Sequence, residues 1–214
     1  DHGITLFDTA EVYGPYQSVE LLAKALGDKR KDIVLVSKVG FQYDENGKSI
    51  GRNSQYDHVI ERLEGCLQRL KTDFLDLLLI HWPDHDTPFE ESIRALEKLK
   101  QDGKIRHYGV SNFTPEMMDE CENFGHLAAN QVGYHMFDRR MESKVLPYCL
   151  DKNIGFMAYG TLGFGLLSGA FTSETKFGEG DWRSSGNAFR LPLFQEEEFA
   201  KELKVVERLK AIAK

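Results

Sequence analysis

The sequence predicts an α/β fold on a parallel sheet, and two patterns predict it. Six short β-rich runs recur at fairly even intervals, at Ile4–Phe7, Ile33–Ser37, Leu75–Ile80, Arg106–Val110, Ala128–Val132 and Ile154–Tyr159. Helical patterns separate them, so the order reads β-α six times. Strict alternation implies a parallel sheet, closed as a barrel or open and doubly wound. Several runs are also apolar almost without alternation, as expected of strands buried on both faces.

Taken in order, the first run leads through a polar loop to a helix at Ser18–Leu26. The second is followed by a helix over about Gln55–Leu70, with Ile60, Leu63, Leu67 and Leu70 inward and Ser54 and Asp57 capping it. The third run is broken only by Asp76. After it, Phe89, Ile93, Leu96 and Leu99 form one apolar face of a helix at Pro88–Asp102. Thr87 stands as its N-cap, Pro88 at its first position and Glu90 in a capping box, with Gly103 where a left-handed C-cap belongs. Further helices are expected at Pro115–Asn123, Glu142–Lys152 and from Glu196 onward. Thr172–Phe194 carries aromatics and reads as a long βα loop. No Pro-, Gly- or Ser-rich linker divides the chain, so residues 1–214 read as one domain.

Composition narrows the function. With 27 Lys+Arg against 34 Asp+Glu, the formal net charge is -7, which gives nucleic acid or an anionic membrane no general electrostatic reason to bind. Phe74–Ile80 is far shorter than the roughly 20 apolar residues of a spanning helix. Three widely spaced cysteines, Cys66, Cys121 and Cys149, include no Cys-x-x-Cys pair, which fits a reducing cytoplasm better than a disulfide framework. His81, Asp84, His85 and Asp86 are metal-ligand types, but Pro83 prevents the helix that would align an i,i+4 pair, so no metal site is assigned. Gly160, Gly163, Gly165 and Gly169 follow the sixth run without the Gly-x-Gly-x-x-Gly register of a Rossmann fingerprint.

The chemistry lies in what ends each apolar run. Asp8 ends the first, Ser37 and Lys38 the second, His81 the third, Ser111 and Asn112 the fourth; Asn130 and Gln131 follow Ala128–Ala129, and Tyr159 ends the sixth. In parallel α/β folds side chains at the carboxyl ends of strands converge on the site. Singly, each has a bland reading: Asp8 a turn, Lys38 a snorkelling cation, His81 a core histidine, Tyr13 a loop tyrosine. Together, a Lys and an Asp in one apolar mouth must pair, and the pair can shift a neighbour's pKa. Tyr13 is that neighbour: a phenol with pKa about 10 is a poor proton donor at neutral pH unless an ammonium lowers it.

Five ordered motifs now stand out. Phe7-Asp8-Thr9-Ala10-Glu11-Val12-Tyr13-Gly14, Ser37-Lys38, Leu75-Asp76-Leu77-Leu78-Leu79-Ile80-His81-Trp82-Pro83, Gly109-Val110-Ser111-Asn112-Phe113 and Asn130-Gln131 resemble the aldo-keto reductases over essentially the whole chain. The resemblance is nearest to the bacterial and plant branch with His-Trp-Pro-Asp. It implies a (β/α)8 TIM barrel, NADP as cofactor with NAD left open, and reduction of small aldehydes or ketones. Asp8, Tyr13, Lys38 and His81 would be the catalytic tetrad, Tyr13 donating the proton, Lys38 and Asp8 tuning it, and His81 orienting the carbonyl. Ser111, Asn112 and Gln131 would bond the nicotinamide carboxamide and Tyr159 would stack on its ring, with Asp8, Leu162 and Arg183 as further cofactor contacts. Gly160-Thr161-Leu162 replaces the usual Ser-Pro-Leu and Ala170 a common Lys, with Arg183 as partial compensation. Trp82, Phe41 and Tyr43 would line the substrate mouth.

By the same resemblance the six βα repeats correspond to strands two to seven of eight. Beside the roughly 250 residues of a typical barrel, and with Asp1 rather than Met first, the chain reads as truncated at both ends. A segment with two unpaired edges is expected to bind NADPH poorly alone. The competing function is a nicotinamide-binding regulatory subunit resembling potassium-channel beta subunits, which carry Asn where His81 stands.

Overall fold

The computed structural model describes residues 2–14 and 16–213; Asp1, Pro15 and Lys214 lie outside the described residues. Six parallel strands form one sheet in the order β1 (Leu6–Asp8), β2 (Val34–Val39), β5 (Leu75–Ile80), β6 (Ile105–Ser111), β7 (Ala129–Gly133) and β8 (Gly155–Tyr159). A separate antiparallel hairpin, β3 (Phe41–Tyr43) and β4 (Ser49–Arg52), interrupts the β2-to-helix connection. The helices are α1 (Gln17–Leu26), α2 (Tyr56–Leu70), α3 (Phe89–Gln101), α4 (Pro115–Glu122), α5 (Val145–Asp151) and α6 (Glu196–Ile212). None among the described residues is long and apolar enough to cross a membrane.

The chain divides into two compact units, residues 1–131 with 147–156 and residues 132–146 with 157–214. In the first, β2 and β5 are buried on both faces through Leu35, Val36, Val39, Leu75 and Leu78–Ile80, because a parallel sheet that curls toward a barrel is covered by helices outside and by packed strand side chains within. The register sets Lys38 beside Leu79 and Val39 beside Ile80. That brings the polar ends of neighbouring strands to one level. Val59, Leu63, Cys66, Leu67 and Leu70 are the buried face of α2, and Phe89, Ile93, Leu96 and Leu99 that of α3. Cutting Leu63 to Ala would cost about 2–5 kcal/mol by lost transfer energy and cavity formation. Asp76 is not a defect in its strand. Its carboxylate accepts the Leu35 N–H at 2.9 Å and pairs with Arg30 and Arg106 at 2.9 and 2.7 Å.

Several expected boundaries shift for local reasons. α3 begins one residue late because Pro88 is extended (ψ 134), and Thr87 donates to Asp84 at 2.7 Å instead of capping. Ser54 does not cap α2 either: Gln55 occupies that position and makes no side-chain cap bond. Gly103 does adopt the left-handed conformation, φ +73. Residues 142–152 split into a 3-10 turn at Arg140–Ser143 and α5, since Lys144 leaves helical geometry and Pro147 fits only a first turn. The hairpin is an element the strand pattern did not predict. Asn46-Gly47, with Gly47 at φ +76, is its turn signal.

The second unit packs Leu166, Ala188, Leu193, Phe194, Phe199 and Val206 into its own core. The expected loop at 172–194 contains a 3-10 turn at Trp182–Ser185 and a bridge between Ala188 and Leu191. Phe164 stacks on Phe189 at 5.2 Å and meets Trp182 edge-on at 5.3 Å. Phe164, Phe189 and Arg190 all hold positive φ, a strained state that this packing must offset.

Candidate active site

Asp8 closes β1, Lys38 lies one residue before the end of β2, and His81 follows β5. The Lys38 ammonium, 1 % exposed, pairs with the Asp8 carboxylate and donates to the Thr9 carbonyl at 3.1 Å. Gln131, at the β7 level of the same mouth, donates to the other Asp8 oxygen at 2.9 Å. The carboxylate is therefore fixed from two strands. Burial pulls the Lys38 pKa down, and the Asp8 carboxylate opposes that pull.

Tyr13 reaches this pair from the loop after β1. Lys38 Nζ stands 5.2 Å from its ring centroid, and the ring meets His81 edge-on at 5.9 Å. Phe41 also meets the imidazole edge-on, at 5.2 Å. Burial pushes the His81 pKa down to about 3, with the Lys38 ammonium and the Arg52 guanidinium acting in the same sense. The imidazole is therefore neutral at pH 7. Its Nδ1 is enclosed with no hydrogen-bond partner among the described residues, and an unmet lone pair is more readily left than an unmet N–H. That favours the tautomer with its proton on Nε2.

Ser111 ends β6 and Asn112 follows it, beside this cluster. Ser111 donates to the Gln131 carbonyl at 2.8 Å, and the Asn112 amide donates to the His81 carbonyl at 3.1 Å and to Ser111 Oγ at 3.0 Å. Asn112 holds φ 66, a conformation Asn tolerates better than most residues. Tyr159, Leu162 and Arg183 belong to the second unit. Gly133 leaves room for the Tyr159 ring: a Cβ there would come within 3.3 Å of it. Leu162 is exposed at the start of a 3-10 turn. Arg183 is already engaged, paired with Asp181 at 2.6 Å, donating to the Phe164 carbonyl at 3.2 Å and lying over Phe177 at 4.7 Å.

Two features escape sequence reasoning. Glu11, fully buried, receives Arg62 of α2 at 2.8 Å and the Phe41 N–H at 3.4 Å, tying the Tyr13 loop to α2 and to the hairpin. Fifty-one residues separate Glu11 from Arg62, so no local pattern announces the pair. Tyr43, expected at the mouth, packs under Arg62 at 4.9 Å instead. Asp84, one of the metal-ligand types, is spent on Asp86 N–H and Thr87 within its own loop and on the Ser54 N–H thirty residues away.

Comparison with known proteins places this arrangement. The model of the aldo/keto reductase family matches residues 1–214. An aldo-keto reductase of Bacillus subtilis is 40% identical over 198 residues, covering 92% of this chain and 59% of the relative. The solved structure of a glycerol dehydrogenase from Gluconobacter oxydans superposes with TM-score 0.89 at 40% identity, over 99% of this chain and 64% of that one. An aldo-keto reductase from Klebsiella pneumoniae in complex with NADPH gives TM-score 0.68 at 37% identity, over 79% of this chain and 56% of that one. The chain thus spans less than two thirds of the length of these relatives. Its six βα repeats are part of a (β/α)8 barrel.

Proposed function

The chain belongs to the aldo/keto reductase family, and from that premise we propose that the whole protein is an NADPH-dependent carbonyl reductase with Tyr13 as its general acid. One observation carries the reading most. A buried ammonium held by a carboxylate lies under the ring of the tyrosine, and a neutral imidazole stands at that ring's edge. This is the charge distribution that a proton donor to a carbonyl oxygen needs.

Features of each unit fit a nicotinamide: in the first, Ser111 and Asn112 form a locked polar edge beside His81, and in the second, Gly133 leaves room for the Tyr159 ring. Ser111 and Asn112 would hold the carboxamide and Tyr159 would stack on the ring. Gln131 would act chiefly through Asp8, to which its amide already donates. Arg183 would reach phosphate only by giving up part of its bond to Asp181, and Leu162 would supply apolar contact. When bound, the cofactor supplies a hydride to the carbonyl carbon. His81 Nε2–H would bond the carbonyl oxygen and orient it toward the Tyr13 hydroxyl. Tyr13 gives that oxygen its proton, and Lys38 steadies the phenolate charge left behind, so aldehyde or ketone becomes alcohol.

Purified whole protein, NADPH and a panel of aldehydes test this. The expected result is carbonyl-dependent loss of NADPH absorbance, with deuterium from labelled NADPH appearing on the alcohol carbon. Tight NADPH binding without turnover on any carbonyl would reject the reductase in favour of a nicotinamide-sensing regulatory subunit.

A further inference from the structure

The hairpin brings a second charge to the mouth. β3 and β4 pair Phe41 directly with Arg52, and directly paired antiparallel residues project to the same face about 5 Å apart. Phe41 meets His81 at 5.2 Å. Arg52 lies over the Trp82 ring, also at 5.2 Å, and its Nη1 donates to the Pro83 carbonyl at 2.8 Å. One face of the hairpin therefore lies along His81-Trp82-Pro83, with Phe41 against the imidazole and an exposed guanidinium fixed on the two residues that follow it.

The guanidinium has capacity to spare. Arg30, Arg62 and Arg106 in the same unit each pair with a carboxylate. Among the described residues Arg52 pairs with none, and its only hydrogen-bond acceptor is Pro83 O. Stacking and this one bond immobilise the group in advance, so a ligand that engages its remaining N–H donors loses little extra entropy. A planar fork of this kind matches a carboxylate in bidentate fashion. The effect of Arg52 on His81 shows that its field reaches the imidazole.

We infer that Arg52 is a specificity-determining residue that selects carbonyl substrates bearing a carboxylate a few bonds from the reacting carbon. The inference rests on the reductase reading. Trp82 and Phe41 give the intervening carbon chain an apolar wall, and a neutral carbonyl compound gains nothing from the guanidinium.

The experiment compares kcat/KM of the whole protein with NADPH for 4-carboxybenzaldehyde and 4-methylbenzaldehyde, read as the ratio of acid to neutral substrate. Arg52→Gln should lower that ratio about ten- to a hundredfold, as loss of a charge-assisted bidentate contact does. Arg52→Lys should fall between. In the unaltered protein, raising salt from about 0.05 to about 0.5 M should lower the ratio several-fold, because an exposed pair is screened. A ratio that Arg52→Gln changes by less than threefold, or that salt does not move, overturns the inference while leaving the reductase reading in place. If the unaltered protein reduces neither aldehyde, the reductase reading falls and takes this inference with it.

Discussion

In the first unit the buried charges are matched by charges from distant parts of the chain: Lys38 by Asp8, Glu11 by Arg62, Asp76 by Arg30 and Arg106. In the second, Asp138 is matched by Arg140, but Glu202 of α6, 5 % exposed, has an enclosed Oε2 with no hydrogen-bond partner among the described residues. The second unit relies on aromatic packing, with Phe164, Trp182, Phe189, Phe194 and Phe199 joined by successive ring contacts and strained backbone at Phe164, Phe189 and Arg190. Proton transfer needs charges fixed to fractions of an ångström, and crossed ion pairs fix them. Stacking tolerates more slack.

The first unit's network should be broken most severely at Tyr13, the proposed proton donor. Tyr13→Phe keeps the ring against His81 and Lys38 but removes the hydroxyl, so turnover should fall about 10³-fold. Fluorescence titration should show NADPH affinity nearly unchanged. Turnover within tenfold of the unaltered protein would remove Tyr13 from the role of acid.

Lys38→Met leaves the Asp8 carboxylate without its cation. Breaking a buried pair costs about 3–5 kcal/mol, but the Asp8 side chain is 29% exposed and keeps its bond from Gln131, so about 2 kcal/mol is expected in urea unfolding. Asp8→Asn combined with Lys38→Met should cost less than the two single changes added. Strict additivity would mean that the pair contributes no coupling.

His81 sharpens the comparison through pH. Its folded pKa, about 3, is below the ordinary 6.5. Between those values the unfolded chain binds the extra proton, so this contribution is complete above about pH 6.5 and is lost as pH falls toward 3. From pH 7 to pH 5 the loss is about 2 kcal/mol. His81→Gln should lack this part of the acid sensitivity; an equal decline in both proteins would count against the buried neutral imidazole.

What the sequence discloses follows the same division. Asp8, Lys38, His81 and Ser111 were visible because each ends an apolar run, and a parallel sheet aligns such ends. Glu11–Arg62 and Gln131–Asp8 were not visible, because their partners are set by strand register and helix placement across 51 and 123 residues. The hairpin that carries Arg52 had a legible turn at Asn46-Gly47, but its strands are three and four residues long and too short for a periodic signal. Arg183 was legible as a loop cation, whereas its engagement by Asp181 depends on a local turn that composition does not announce.

Glu202 supplies the smallest effect and the opposite sign. Phe199, Glu202 and Val206 follow at helical spacing on one buried face, so the carboxyl is carried inward with the apolar residues. Burial, then the Glu198 charge, raises its pKa from 4.5 to about 7. Between these values the folded chain holds a proton that the unfolded chain has lost, so stability falls as pH rises through that window and the penalty is complete above about pH 7. Partial rotation of the carboxylate toward water would limit the change between pH 5 and pH 8 to about 1 kcal/mol. Glu202→Gln holds a neutral group of the same size throughout. Its amide lacks a partner at every pH, so the informative quantity is the difference in pH slope, not the absolute stability. The slope of the unaltered protein should exceed that of the variant, with faster amide exchange in α6 at pH 8. Equal slopes would show that Glu202 finds a partner or water in solution, and the contrast between the two units would then rest on aromatic packing alone.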